Sequence, residues 1–212
     1  MDLKNVYDLL LHKLGTQNWW PASNEIEMLI GMILVQNTNW LNVEKSLANL
    51  EEATKFDLEK TIALNDEDLQ SLIKPSGFYK SKASYIKNIL DFYQNKYQEF
   101  NDYDTDDLRK KLLTIKGVGY ETADVMLLYL FHRPVFVSDA YAKKLFATLL
   151  GDDSQQISYM SLKKFVEDNS IFALNDYKEF HALIVEYGKT KSNFLAEYQL
   201  SKELRGKFLF YK

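Results

Sequence analysis

Apolar residues recur at helical spacing along nearly the whole chain, and no stretch shows the alternation of a half-buried strand. Leu3, Val6, Leu10 and Leu14 predict a helix over residues 2–14. An Asn18-Trp19-Trp20-Pro21 turn follows, and Ser23 or Asn24 caps a helix carrying Ile26, Leu29, Ile30, Ile33 and Leu34. Thr38 or Asn39 opens a helix through Leu50, and weaker patterns cover 57–64, 66–74 and 80–98. Asp104 or Thr105 starts the next helix, and Ser138 or Asp139 starts one that stops near Leu150-Gly151. Helices near 158–168 and 175–190 precede a basic tail. No repeat and no low-complexity segment interrupts this order, so the pattern predicts an all-α chain.

Between two of these helices lies Ile115-Lys116-Gly117-Val118-Gly119. Leu108, Leu112 and Ile115 lead into it, and Ala123, Met126, Leu127 and Leu130 lead out. Two glycines one residue apart permit positive φ and close approach of the backbone to a ligand. The N–H groups at the start of the second helix, with the helix dipole behind them, suit a phosphate.

Composition narrows the class. A chain of 212 residues with 46% hydrophobic content can bury a core as one large domain or two small ones, and 8 Gly with 3 Pro favour helices joined by short loops. No apolar run reaches the about 18 residues of a membrane span, and MDLKNVYDLL is not a signal peptide, so a cytoplasmic protein without membrane contact is expected. Cysteine is absent, which excludes disulfides, thiolate zinc and a cysteine-bound iron–sulfur cluster. His12, His132 and His181 have no metal-ligand spacing, and His181 falls on the apolar face of a helix as a core residue. Net charge is −4, but acidity concentrates in Glu51–Asp68, while Lys189, Lys191, Lys202, Arg205, Lys207 and Lys212 make the C-terminal stretch basic. Charge alone does not decide for or against a nucleic-acid partner.

The hairpin, the following Thr122 and Ala123, then Pro134, Val137, Asp139 and Leu150-Gly151 resemble the helix-hairpin-helix of the endonuclease III superfamily of DNA glycosylases. The resemblance covers most of the chain. It implies two helical domains, a barrel-like one over 22–133 and a second built from 1–21 plus 134–212, with the active-site cleft between them. It also implies a monomer that binds duplex DNA with a damaged base. DNA contacts fall to Lys116, Gly117, Val118, Gly119, Tyr120 and Thr122. In ILVQNTNW, Gln36, with Asn37 beside it, takes the place of a glutamine that enters the void left by an extruded base; a plain capping amide is the competing reading. In PSGFYKSKASYIKNI, Lys80 and Lys82 meet phosphate or form a solvated face. The resemblance further implies sodium or potassium held by the backbone carbonyls of Leu113, Ile115 and Val118.

Asp139 is the expected catalytic residue. Breaking an N-glycosidic bond builds positive charge on the sugar, which a carboxylate stabilises while orienting or deprotonating the attacking water. An N-cap role is compatible with this, since one oxygen can cap while the other faces the site. Two departures sharpen the expectation. Bifunctional members carry a lysine nucleophile where this chain has Glu121, and a carboxylate cannot form a Schiff base, so lyase activity by that route is not expected. Where many members place the first cluster cysteine, this chain has Ser192.

All three tryptophans fall in WWP and next to QNT, a pattern similar to the 3-methyladenine DNA glycosylase branch. By that resemblance Trp19, Trp20, Pro21 and Trp40 form a base pocket with Lys189 at its edge; ordinary packing is the competing reading for the indoles. Electron-rich rings favour a cationic alkylated purine, whose glycosidic bond is already weak. A lysine beside such a base needs an offsetting carboxylate or modification, with Glu121, Asp139 and Glu186 as candidates. The expected function is therefore a monofunctional glycosylase for alkylated purines. The alternatives are an endonuclease III-like glycosylase and lyase acting on oxidised pyrimidines or abasic sites through Lys116 or Lys189, and a non-catalytic binder of damaged DNA.

Overall fold

The computed structural model describes residues 1–151, 157–190 and 193–211. Lys191, Ser192 and Lys212 lie outside them. Among the described residues there are twelve α-helices and no strand. They are α1 (Leu3–Leu14), α2 (Glu25–Leu34), α3 (Trp40–Thr54), α4 (Leu58–Ala63), α5 (Asp66–Ile73), α6 (Tyr79–Phe100), α7 (Thr105–Leu112), α8 (Tyr120–Tyr129), α9 (Ala140–Leu150), α10 (Tyr159–Asn169), α11 (Leu174–Lys189) and α12 (Lys202–Phe208). The chain divides into two compact units, Pro21–Met126 and Met1–Trp20 with Leu127–Lys212.

Side-chain caps decide where most helices begin. Asn24, Asn39, Asp104 and Asp139 each accept the N–H three residues on, which resolves the paired candidates of the sequence pattern. Lys55, in the left-handed conformation, ends α3 at Thr54, one turn beyond Leu50.

In the Pro21–Met126 unit, α2 and α5 pack on α6, and α3 packs on α2 and α5. Leu29, Ile30, Ile33, Val43, Leu50, Leu69, Ile73, Ile86 and Ile89 are buried there. Lys82 departs from expectation. It is 2% exposed, and its Nζ donates to the carbonyls of Leu34 at 2.8 Å and Ser76 at 2.7 Å. Neither a phosphate contact nor a solvated face describes it. Its ammonium satisfies the carbonyl end of α2, a group that would otherwise be orphaned. Burial pushes its pKa down to about 8, so it still carries its proton at neutral pH.

The hairpin rests on α6. Gly117 has φ +104, and a Cβ there would fall 2.4 Å from the Tyr85 ring, so no side chain fits. Gly119 differs: its φ is not positive, and nothing lies within 4 Å of its would-be Cβ. Asn88 donates to the Lys116 carbonyl at 3.0 Å, tying the turn to α6. Arg109 of α7 makes a two-pronged ion pair with Asp124 of α8, at 2.7 and 3.0 Å. Asp124 is fully buried, and Arg109 also lies under the Tyr120 ring, 5.1 Å from its centroid. That pair fixes the crossing of the two hairpin helices.

In the other unit, α11 packs on α1 and α9. Tyr7, Phe172 and Phe180 form an aromatic cluster with centroids 5.3–5.9 Å apart. The two chain ends meet: Met1 N donates to the Gln199 carbonyl, and Ser201 N donates to the Met1 carbonyl. The basic tail is not featureless, since Ser201 caps α12, and Leu204 and Phe208 turn inward. Phe208 meets Phe165 of α10 edge-on at 5.1 Å. The extended segment before α9 is pinned at Phe136. Its N–H donates to Glu167 at 2.8 Å, and Lys163, paired with Glu167 at 2.5 Å, reaches its carbonyl.

Removing one member of a buried ion pair strands the other. Arg109→Met is therefore expected to lower unfolding free energy by about 3 kcal/mol, measured by urea denaturation at pH 7. A loss within the range of an ordinary surface substitution would show that the pair does not hold α7 and α8 together.

Candidate active site and nucleic-acid interface

Asp139 is the N-cap of α9, and its Oδ1 accepts the Ala142 N–H at 2.7 Å. The residue is 7% exposed, so the carboxylate is held rather than free to swing in solvent. Its Oδ2 lies 3.8 Å from Nε2 of His181, a contact longer than a hydrogen bond. His181 sits on α11, and its Nδ1 lies 2.8 Å from the Tyr129 hydroxyl. Burial pushes the His181 pKa down to about 3, so the imidazole is neutral near pH 7 and the contact with Asp139 is not an ion pair. Tyr129 is pushed up by burial first, then by the nearby Glu179 and Asp139 charges, and stays protonated.

Aromatic rings continue from this group. Trp19 meets His181 at 5.5 Å between centroids, Trp20 meets Tyr129 at 5.6 Å, and the two indoles meet each other at 5.2 Å. Both tryptophans are half-buried. Lys189 Nζ lies 5.5 Å from the centre of the Trp19 ring and 3.7 Å from the Glu186 carboxylate. Of the three carboxylates considered as offsets for that lysine, Glu186 is the one the structure pairs with it. Indole, carboxylate and neutral imidazole thus share one neighbourhood of the Met1–Trp20 and Leu127–Lys212 unit.

The Pro21–Met126 unit carries the hairpin. Lys116, Gly119 and Tyr120 are exposed, whereas Val118 and Thr122 are buried. Gln36 donates from Nε2 to the Gly117 carbonyl at 3.0 Å and to the Thr122 hydroxyl at 3.1 Å. Thr122 therefore turns towards Gln36 and not outward, and the outward face of the turn is backbone, Lys116 and Tyr120. Asn37, beside Gln36, is exposed with φ 54. Trp40 begins α3 and is half-buried, and Pro21 is exposed at the unit's start. Glu121 is exposed in the first turn of α8, where the helix dipole favours an acid.

The carbonyls of Leu113 and Val118 accept no hydrogen bond from the described residues, and that of Ile115 accepts one, from Val118 N at 3.0 Å. No group of three or more His, Asp or Glu among the described residues is placed to hold a metal ion.

Two features were not read from the sequence as functional. His181 was assigned to packing, and it does pack; its contact with Asp139 joins two helices, and no local spacing signals that. Phe78 is 71% exposed and held in the left-handed conformation, with φ 46, at the start of α6. Its signal was the Gly-Phe pair in PSGFYKSKA.

Residues 30–169 match the HhH-GPD superfamily base excision DNA repair protein model. The chain belongs to that superfamily. It is 42% identical over 189 residues to the "Putative DNA repair glycosylase MJ1434" of Methanocaldococcus jannaschii, covering 87% of this chain and 86% of that one. Endonuclease III of Thermotoga maritima is 32% identical over 123 residues, 58% of this chain and 55% of the relative. Among solved structures, the H. pylori 3-methyladenine DNA glycosylase MagIII bound to 1,N6-ethenoadenine superposes with a TM-score of 0.76 at 30% identity, over 92% of this chain and all of that one. A non-covalent endonuclease III–DNA complex superposes with a TM-score of 0.73 at 20% identity, over 98% and 97% of the two chains, a likeness of fold. The protein is thus an HhH-GPD base excision repair glycosylase with an all-α fold and, having no cysteine, no cysteine-ligated iron–sulfur cluster. Among the described residues no helix is long and apolar enough to cross a membrane.

Between pH 6.5 and 3 an unfolded chain protonates a histidine that the folded chain keeps neutral. The unfolded state then binds more protons, and stability falls as pH falls through that window. Unfolding free energy is expected to drop between pH 7 and pH 5.5, ahead of most carboxylate titration, with a shallower slope in His181→Gln. Equal slopes in urea denaturation of the two proteins would show that His181 is not held neutral.

Proposed function

We propose that the protein is a monofunctional glycosylase that removes alkylated purines, of the 3-methyladenine type, from duplex DNA. One observation carries the reading: His181 touches both the Asp139 carboxylate and the Trp19 ring, so the acid suited to stabilise a sugar cation stands in the same neighbourhood as indoles suited to hold a flat base. The likeness to a 3-methyladenine glycosylase over its whole length supports it.

In this reading the exposed hairpin backbone, Lys116 and Tyr120 take DNA phosphates, which positions the duplex without reading sequence. A sodium or potassium ion on the carbonyls of Leu113, Ile115 and Val118 would supply positive charge beside that phosphate. Phe78, exposed at the start of α6, suits an apolar wedge between base steps. The extruded base stacks on Trp19 and Trp20, with Lys189 held back by Glu186. Asp139 then meets the developing charge at the sugar. Water attacks the anomeric carbon, the carbon–nitrogen bond breaks with its electrons leaving on the base, and Asp139 takes the water's proton. An alkylated purine carries a positive charge before cleavage and leaves neutral, so no general acid is needed.

Glu121 supports the absence of a lyase step, because a carboxylate cannot form the imine that strand cleavage requires. The likeness to endonuclease III keeps a second reading in view, an amine-dependent lyase acting on abasic sites.

Asp139→Asn is expected to slow release of 3-methyladenine at least about 100-fold in single-turnover assays while duplex affinity is retained. Full activity in that variant would remove the assignment. In a panel with 7-methylguanine, thymine glycol and mismatched adenine, release should favour the alkylated purines. Binding of alkylated DNA with no release by the wild type would identify a damage binder, and a borohydride-trapped adduct on abasic DNA would identify a lyase.

A further inference from the structure

We infer that the imidazole of His181, held at Nδ1 by the Tyr129 hydroxyl, is a positioning residue for the second oxygen of Asp139. This rests on the assignment of Asp139 as the catalytic carboxylate.

The geometry constrains each atom. The Tyr129 hydroxyl has two acceptors within reach, His181 Nδ1 at 2.8 Å and the Lys178 carbonyl at 3.3 Å. The Asp139 carboxylate opposite Nε2 favours the tautomer with the ring proton on that nitrogen, which leaves Nδ1 to accept from the Tyr129 hydroxyl. Nε2 is the nitrogen that faces Asp139 Oδ2 at 3.8 Å. The other carboxylate oxygen is already fixed by the Ala142 N–H. Asp139 is thus held on one side by a helix N-terminus and approached on the other by an imidazole N–H. Contacts of this kind are often long in a free enzyme and shorten in the reacting complex.

Neutrality matters as much as position. An imidazolium beside Asp139 would cancel the charge that stabilises the sugar cation. The groups in contact with His181, and the charges along its own helix, bear on this. Asp139 faces it from the start of α9, Tyr129 from α8 and the Trp19 ring from the preceding loop, while Lys178, Glu179, Glu186 and Lys189 share α11 with it. The Lys178 and Lys189 ammonium groups lie over the Tyr129 and Trp19 rings, at 5.8 and 5.5 Å. Burial acts in the same direction and keeps His181 unprotonated down to about pH 3.

The test is the pH profile of single-turnover base release for the wild type, His181→Asn, Tyr129→Phe and Asp139→Asn, with duplex affinity and thermal unfolding measured for each. His181→Asn keeps a polar group near the Tyr129 hydroxyl and loses the one facing Asp139. Its plateau rate should fall on the order of tenfold, and its acidic limb should move up by about one pH unit at unchanged affinity, the effect of losing an N–H that closes on a charged acceptor in the reacting complex. Tyr129→Phe should shift the limb in the same direction by less. A purely structural role would lower the rate evenly at all pH values with no shift of the limb, and that result overturns the inference. If His181→Asn does not fold, Tyr129→Phe decides: an unmoved limb and wild-type rate overturn the proposal. If Asp139→Asn is active, the assignment of Asp139 itself has failed. If Asp139→Asn is inactive and the other two variants keep the wild-type limb, only the role of His181 is lost.

Discussion

The hydrogen bond from the Ala142 N–H to Asp139 Oδ1 joins the architecture of α9 to the chemistry proposed for that carboxylate. A helix start leaves N–H groups that need acceptors, and a side-chain oxygen is the usual supplier. Here that supplier is also a carboxylate placed beside His181 in the aromatic group of Trp19, Trp20 and Tyr129. The fold must therefore bring the segment before α9 to the right depth. It does so by binding both backbone groups of Phe136 with the Lys163–Glu167 pair and by burying Val135 and Val137. Loss of order there would misplace the helix start and the acid together.

Much of this was legible in the sequence because it is local. Caps lie within four residues of what they cap, and Asn24, Asn39, Asp104 and Asp139 were all among the residues singled out. The hairpin was legible for the same reason, although its two glycines do different work. Gly117 needs its positive φ and its missing Cβ to sit on Tyr85, while Gly119 leaves the backbone exposed. Glu121 could be read at once, since a carboxylate at that position cannot itself form an imine.

What escaped the sequence depends on partners far along the chain. Lys82 looked like a surface lysine because its neighbours are polar; only the packed ends of α2 and the Ser76 turn give its ammonium two carbonyls. His181 looked like core because it lies on the apolar face of α11, and nothing near it in sequence announces Asp139 or Tyr129. The basic tail hid α12 because its lysines and arginine outnumber Leu204 and Phe208, the two residues that bury it. Thr122 was expected among the DNA contacts; it is buried, with its hydroxyl accepting from the Gln36 amide, a partner 86 residues away.

The central claim is that this superfamily member releases an alkylated base by hydrolysis and leaves the strand whole. Product analysis on a duplex carrying one 3-methyladenine tests it most directly. The account predicts free 3-methyladenine and an intact strand with an abasic site that is cut only on later alkali treatment. Strand scission without alkali, or release of an oxidised pyrimidine in preference to 3-methyladenine, would contradict it.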